Sequence, residues 1–266
     1  MRTLLERNIE AAAQRLVLLA PSQAAVPGVF NNLDCDASRH RELVREMQLL
    51  RGNIYLRDGA VERRRLAADG THRTPEDEKS WHLLMLNRDG RVNACVWYLR
   101  HERSVTIDRL RMRNCPLARE QEAGDRLWKS IESDIARARR DGIDYAEVGG
   151  WAAAKEGGST SEGLVLALAG YSLAQIYGGA LGITTATVRH CSSTILRRLG
   201  GSSLEADGVT IPPYYDPTYR CSMELLRFDS RRPNTKYAGL IGLLRTQLAH
   251  ALVIAKPAEA DSALAA

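Results

Sequence analysis

The sequence predicts a mixed α/β domain on three observations. "WHLLMLNRDGRVNACVWYLR" (81–100) is a pair of apolar runs around Asn-Arg-Asp-Gly, the pattern of strand, tight turn and strand. After it, strand-like and helix-like runs alternate as far as residue 229, the order of a sheet with helices packed on it. "STSEGLVLALAGYSLAQIYGG" (159–179) is a helix apolar almost all round, which only a layered core buries. With 266 residues, 44% of them hydrophobic, the chain is long enough and apolar enough to fill such a core.

Leu5, Ile9, Ala12, Leu16 and Leu19 recur at helical spacing, so the first residues read as an amphipathic helix ended by "APSQAAVPG" (20–28). Asp36 caps a second helix that turns Leu43, Val44, Met47 and Leu50 to one side. "RGNIYLRDGAV" (51–61) suits either its continuation or a strand. After the two strands of 81–100, "SVTIDRLRM" (104–112) reads as a third. Residues 117–140 form a charged helix with Leu127, Ile131 and Ile135 inward, stopped at Asp141-Gly142. "IDYAEVGGWAA" (143–153) is a short buried strand. The helix of 159–179 opens on a capping box, Ser159 with Glu162, and closes at Gly178-Gly179. "YYDPTYRCSMELLRFD" (214–229) supplies a turn and a last strand, and "NTKYAGLIGLLRTQLAHALVIA" (234–255) a C-terminal helix. The expected organisation is a helical extension over 1–35, one domain over 36–250 and a flexible tail over 251–266.

A net charge of +5 suits an acidic partner, whether nucleic acid, an anionic membrane surface or an acidic carrier protein, and does not choose among them. Five scattered cysteines with no Cys-x-x-Cys or Cys/His cluster indicate neither a metal site nor a disulfide framework, and fit a reducing cytoplasm. No run approaches the ~20 apolar residues of a membrane span, which leaves only peripheral membrane contact open. The start of the chain lacks the uncharged apolar core of a signal peptide.

"ALGITTATVRHCSSTILRRLGG" (180–201) admits two readings. Residues 188–199 are helical in both, with Val188, Cys191, Ile195 and Leu199 on one side. As the end of a LuxR-type helix-turn-helix, the segment would make residues 162–201 a DNA-binding module. Against that, 162–177 is too apolar for a small surface bundle, and matching the module needs one extra residue in its supporting helix, a turn of ~100°. "ALGITTATV" also favours a strand, being rich in Thr, Ile and Val. A strand over 180–187 therefore expects no nucleic-acid partner.

Taken together, "SWHLL", "EVGGWA", "ITTATVRHCSSTILRRLGG", "PPYYDPTYRCSMELLRFD" and "RRPNTKY" resemble the N-acyl amino acid synthases, relatives of the acyl-homoserine-lactone synthases in the GNAT superfamily. The resemblance covers about residues 40–240. It implies a GNAT-like fold, with a mixed, mostly antiparallel central sheet flanked by helices. It further implies transfer of a long-chain acyl group from a thioester to the amine of an amino acid. It implies no permanently held cofactor, and acyl-phosphopantetheine on an acyl carrier protein, or acyl-CoA, as the expected co-substrate.

Such a reaction needs a base for the ammonium and donors for the oxyanion. Glu147, a carboxylate inside an apolar strand, is the expected general base; burial should raise its pKa. The bland alternative is a Glu that pairs with a neighbouring Arg and holds the sheet together. The resemblance implies that the strand splays at Gly149 and Gly150, and that N–H groups near Gly149, Gly150 and Trp151 meet the donor and its oxyanion. GNAT enzymes that use acetyl-CoA carry Arg/Gln-x-x-Gly-x-Gly/Ala before the following helix; here "AAAKEGGSTSEG" (152–163) lacks it. Gly157, Gly158 and Ser159 at a helix start suit the single phosphate of a carrier-linked pantetheine. Arg197 and Arg198 are the expected contact with an acidic carrier. Arg100 and His101, at a strand end, are candidates for an acceptor carboxylate, while Trp97 stands where relatives place a basic residue. Trp81 and Trp151 suit either an acyl tunnel or core filling. The same fold with CoA as donor, or a domain that binds acyl carriers without turnover, are the alternatives.

Overall fold

The computed structural model describes residues 7, 9, 11, 12, 14–22, 24–154, 160–189 and 192–257. Strands β1 (Leu16–Leu19) and β2 (Leu33–Asp34) precede helix α1 (Ala37–Arg57). The predicted hairpin is β3 (Trp81–Leu86) and β4 (Val92–His101), followed by α2 (Gln121–Arg140), β5 (Asp144–Ala153), α3 (Thr160–Ile176), β6 (Ala180–Thr187) and α4 (Ser192–Leu199). Short strands β7 (Ser202–Ser203), β8 (Glu205–Ala206), β9 (Val209–Thr210) and β10 (Tyr214–Asp216) lead to β11 (Cys221–Asp229), α5 (Thr235–His250) and β12 (Leu252–Ile254). The main sheet runs β10-β11-β6-β5-β4-β3-β1-β12-β2. Its pairs are antiparallel except β5–β6, β1–β12 and β12–β2.

Helix α3 is apolar all round because it lies between two layers. Leu166 and Leu173 share one core with Leu83, Val96 and Ala146 of the sheet and with Leu244 and Leu248 of α5. Even its Ser172 is used, with Oγ 2.9 Å from the carbonyls of Leu168 and of Ile241 on α5. Gly178 (φ 90°) and Gly179 (φ 109°) end the α3 region in the left-handed conformations that its closing glycines predicted. The opposite face of the sheet carries two separate cores. Helix α1 packs Leu43 and Met47 on Leu84 and Cys95. Helix α2 packs Leu127 and Ile131 on Tyr145, Ile183 and Leu225. Strand β5 passes between them, so Glu147, two residues on from Tyr145, faces the gap between α1 and α2.

Several elements differ from expectation, each for a local reason. Leu16–Leu19 is a strand buried on both sides, not the continuation of an amphipathic helix. A short continuous apolar run looks alike in either structure. Leu252–Ile254, placed in the C-terminal helix and beyond the domain boundary at 250, leaves the helix after His250 and pairs in parallel with β1. Both expected boundaries thus lie next to strands of the one sheet. "RGNIYLRDGAV" continues α1 to Arg57, until Gly59 at φ 66° allows the chain to turn. Asp36 caps this helix as expected, its side chain accepting from the N–H groups of Ser38 and Arg39. "SVTIDRLRM" makes short 3-10 turns, not a third hairpin strand. Both edges of β4 are already taken by β3 and β5, so Val105, Leu110 and Met112 bury themselves without a ladder. The helix expected over 117–140 begins at Gln121, after a 3-10 turn from Pro116. Residues 180–187 form β6, paired on both sides, which rules out the helix-turn-helix reading. Among the described residues no helix is long and apolar enough to cross a membrane.

Candidate active site

The centre of the sheet opens at β5. Its parallel pairing with β6 runs from Asp144↔Ala180 to Val148↔Thr184 and stops there. On its other side, Trp97↔Gly149 and Cys95↔Ala152 set three steps of β5 against two of β4, a bulge. Gly150 takes φ 65° at that point, and a side-chain carbon on Gly149 or Gly150 would land in the Trp97 indole. The bulge thus needs glycine twice, for conformation and for close approach. Beyond it β5 and β6 diverge, and a cavity of about 530 Å³ lies between them. Helix α3 turns Gly163, Ala167 and Gly170 toward that space, so little side-chain volume fills it. The expected Gly149, Gly150 and Trp151 all line it.

Glu147 is buried, with its side chain only 3% exposed. The setting is not the apolar one expected. Its Oε2 accepts from the Arg111 backbone N–H at 2.8 Å and from His101 Nε2 at 3.0 Å, and Oε1 accepts from the Met112 N–H at 2.9 Å. Facing a carboxylate, His101 carries its proton on Nε2. These bonds fasten the 3-10 turns of 107–114 to the sheet. Oε1 receives one donor from the described residues and retains acceptor capacity. The cavity wall on β5 starts at Val148, one residue past Glu147.

Residues that the sequence did not single out complete the site. The Arg111 guanidinium lines the cavity, lies 5.6 Å from the Trp97 ring centroid and donates to the Tyr219 hydroxyl at 3.3 Å. Tyr55 donates to the Trp151 carbonyl at 3.2 Å, and burial holds its hydroxyl well above the ordinary phenol range. Under the bulge, Arg51 and Asp77 form a bidentate pair with both side chains buried, at 2.8 and 2.7 Å. Burial alone would raise the Asp77 carboxyl; the two Arg51 hydrogen bonds hold it below its usual range. His82 Nε2 donates to the Asp77 backbone carbonyl at 2.8 Å. Burial pushes both His72 and His82 down to about 4, with the Arg51 charge adding to the shift at each.

The remaining expected residues are dispersed. Arg100 points to the opposite face of the sheet from His101, bound to Asp144 and lying 4.4 Å over the Tyr177 ring, away from Glu147. His101 meets Glu147 instead of solvent. Arg197 is engaged by Glu224 and Ser203, while Arg198 is exposed. Trp81 is core, packed on Phe30 and Tyr177. Gly157, Gly158 and Ser159, and with them the expected capping box, lie outside the described residues; Glu162 binds Arg15 and Asn93.

No protein-family model matches the sequence, and no curated protein matches it either. Solved structures do. A CoA-dependent acyl-homoserine lactone synthase, BjaI, with MTA matches at TM-score 0.53 and 11% identity, over 91% of this chain and 93% of that one. BjaI with SAM and isopentyl-CoA matches at TM-score 0.50 and 10% identity over the same shares. FeeM, an N-acyl amino acid synthase from uncultured soil microbes, matches at TM-score 0.46 and 14% identity, over 74% of this chain and 88% of that one. The chain has a GNAT-like fold, shared with the acyl-homoserine lactone synthase BjaI.

Proposed function

We propose that this protein is an N-acyltransferase that moves a long acyl chain from the phosphopantetheine thioester of an acyl carrier protein to the amine of an amino acid. The observation that carries this reading is the divergence of β5 and β6 at a glycine bulge. It opens the sheet into an apolar cavity next to a buried carboxylate. The pantetheine arm lies along the free edge of β5, and N–H groups near Gly149, Gly150 and Trp151 receive the thioester oxygen. The acyl chain runs under α3, over Gly163, Ala167 and Gly170.

In the reaction the amine nitrogen bonds to the thioester carbon, the C–S bond breaks, and the thiolate leaves. The ammonium loses one proton before attack and the tetrahedral intermediate loses another; one ends on the thiolate and one in solvent. Glu147 takes the first, across one bridging water at Oε1, and His101 holds the carboxylate in place. A carrier-linked donor is supported by the missing pyrophosphate signature before α3 and by the exposed Arg198, an electrostatic contact for an acidic partner.

The test is a product assay with palmitoyl carrier protein, palmitoyl-CoA or acetyl-CoA and the twenty amino acids, read by mass spectrometry. N-palmitoyl amino acid from the carrier-linked donor alone is the expected result. Product from either CoA thioester alone would keep the acyltransferase and replace the donor; no product from any of them would overturn the reading. Glu147→Gln is expected to lower kcat by about 10²–10⁴-fold. A folded Glu147→Gln protein with full activity would return Glu147 to a purely structural role.

A further inference from the structure

We infer that Arg111 is the anchor for the acceptor's carboxylate, so that the site selects free α-amino acids over other amines. This rests on the acyltransferase reading above. Among the described residues three arginines line the cavity, and two are already engaged. Arg57 pairs with Asp58 at 3.1 Å, and Arg227 pairs with Asp134 and bonds Ser130. Arg111 differs. Among the described residues its one carboxylate partner is Glu76, an ion pair at 3.6 Å that is beyond hydrogen-bond distance. Among the described residues its guanidinium makes a single hydrogen bond, to a neutral phenol. The side chain is 27% exposed, and the residue lines the cavity. A guanidinium with spare N–H groups in a partly desolvated wall is matched by a planar carboxylate, which takes two parallel hydrogen bonds from it.

The location says whose carboxylate it is. The Trp97 indole lies against Gly149 and Gly150, and the Arg111 guanidinium lies 5.6 Å from that ring's centroid. The guanidinium is therefore one ring away from the bulge where the thioester is placed. The reacting end of the donor carries no charge, and its phosphate is the length of a pantetheine arm away. In an α-amino acid the carboxylate is two bonds from the nitrogen, so binding it at Arg111 brings the amine to the bulge. The Arg111 backbone N–H also holds Glu147, which ties the anchor and the proposed base to one turn of chain. That bond belongs to the backbone, so changing the side chain leaves it in place.

The experiment compares wild type with Arg111→Gln and Arg111→Lys, using palmitoyl thioester with the twenty amino acids and, separately, with their α-amides. Wild type is expected to favour the free carboxylate. Arg111→Gln is expected to lose about a hundredfold in kcat/KM toward the amino acid and little toward the amide, collapsing the ratio. Arg111→Lys keeps the charge without the fork and should fall between, mainly through KM. Equal use of amides by wild type, or equal loss toward both acceptors in Arg111→Gln, would overturn the inference. Binding is measured independently of turnover, by calorimetry with N-dodecanoylglycine and N-dodecanoylglycinamide. Arg111-dependent preference for the acid, in a protein that acylates no amine, would uphold the anchor while the acyltransferase reading fails. Equal binding of acid and amide would overturn the anchor even if transfer is observed.

Discussion

The two halves of β5 differ in what holds them. From Tyr145 to Val148 the strand is paired on both sides, with β4 and with β6. From Gly149 to Ala153 it keeps β4 alone, through a bulge, and its other edge faces a cavity. The first half buries Tyr145 and Ala146 in two different cores. The second half carries two glycines that exist to let an indole lie against backbone. Pairing on both sides occupies a strand's main-chain groups; giving up one side leaves them for a ligand. Glu147 stands just before the change and is held by bonds from outside the sheet.

The most severe way to break this contrast is Gly150→Val. The left-handed conformation costs a β-branched residue about 1–2 kcal/mol, and overlap with Trp97 adds about 1–3 kcal/mol. Urea unfolding should show a loss of that order, with the bulge and activity lost together. A double-mutant cycle sharpens it: in a Trp97→Ala background, Gly149→Ala should add less than about 1 kcal/mol. A smaller loss in the single mutant would mean that the indole moves freely off the strand.

Acid should strike the polar cluster under the bulge next. His72 and His82, each pushed down to about 4 from 6.5, stay neutral in the folded protein while the unfolded chain takes up protons near 6.5. The unfolded state binds more protons between those values, so stability is full above about pH 6.5 and falls as pH drops toward 4. Asp77, held low by Arg51, adds its loss only below the ordinary carboxylate range. Thermal melts from pH 7.5 to 4.5 should show a plateau above about pH 6.5 and a decline below it; a flat profile throughout would mean that neither imidazole is buried as described.

Gly170→Leu should barely touch stability and alter the product. A side-chain carbon there meets nothing within 4 Å, and Gly170 lines the cavity. Leu is also the better helix former by somewhat less than 1 kcal/mol. Chain length of the N-acyl product should shift downward by several carbons; unchanged length would place the acyl chain elsewhere. The mildest change belongs to the doubly paired half. The Tyr145 hydroxyl is buried with no partner among the described residues, so Tyr145→Phe should be neutral or stabilise by up to about 1 kcal/mol, with activity unchanged.

Local patterns made much of this architecture legible. Asn87 to Gly90 marked the hairpin, Gly178 and Gly179 closed the α3 region, and the uniform apolarity of 162–176 announced a helix inside two layers. The strand–bulge–cavity arrangement was visible in "EVGGWA" only through its family likeness. What stayed hidden is non-local. Arg51 and Asp77 are 26 positions apart, Arg111 and Tyr219 are 108 apart, and nothing in either neighbourhood marks the other. Arg100 and His101 were read as one site, yet adjacent residues on a strand face opposite ways, and only His101 reaches Glu147. "SVTIDRLRM" had the composition of a strand but no free edge to join.

The parallel pairing of Leu16–Leu19 with Leu252–Ile254 bears on how the molecule is made. Val17 and Leu252 are register partners across 235 positions, and among the described residues β2 pairs only with β12. During synthesis β1 therefore waits, its outer edge bare, until Leu252–Ile254 has left the ribosome. Closing so long a loop is slow, and a waiting apolar edge invites strands from other chains. A chain released before Leu252 would retain every residue of the cavity and still present an unfinished sheet to its neighbours.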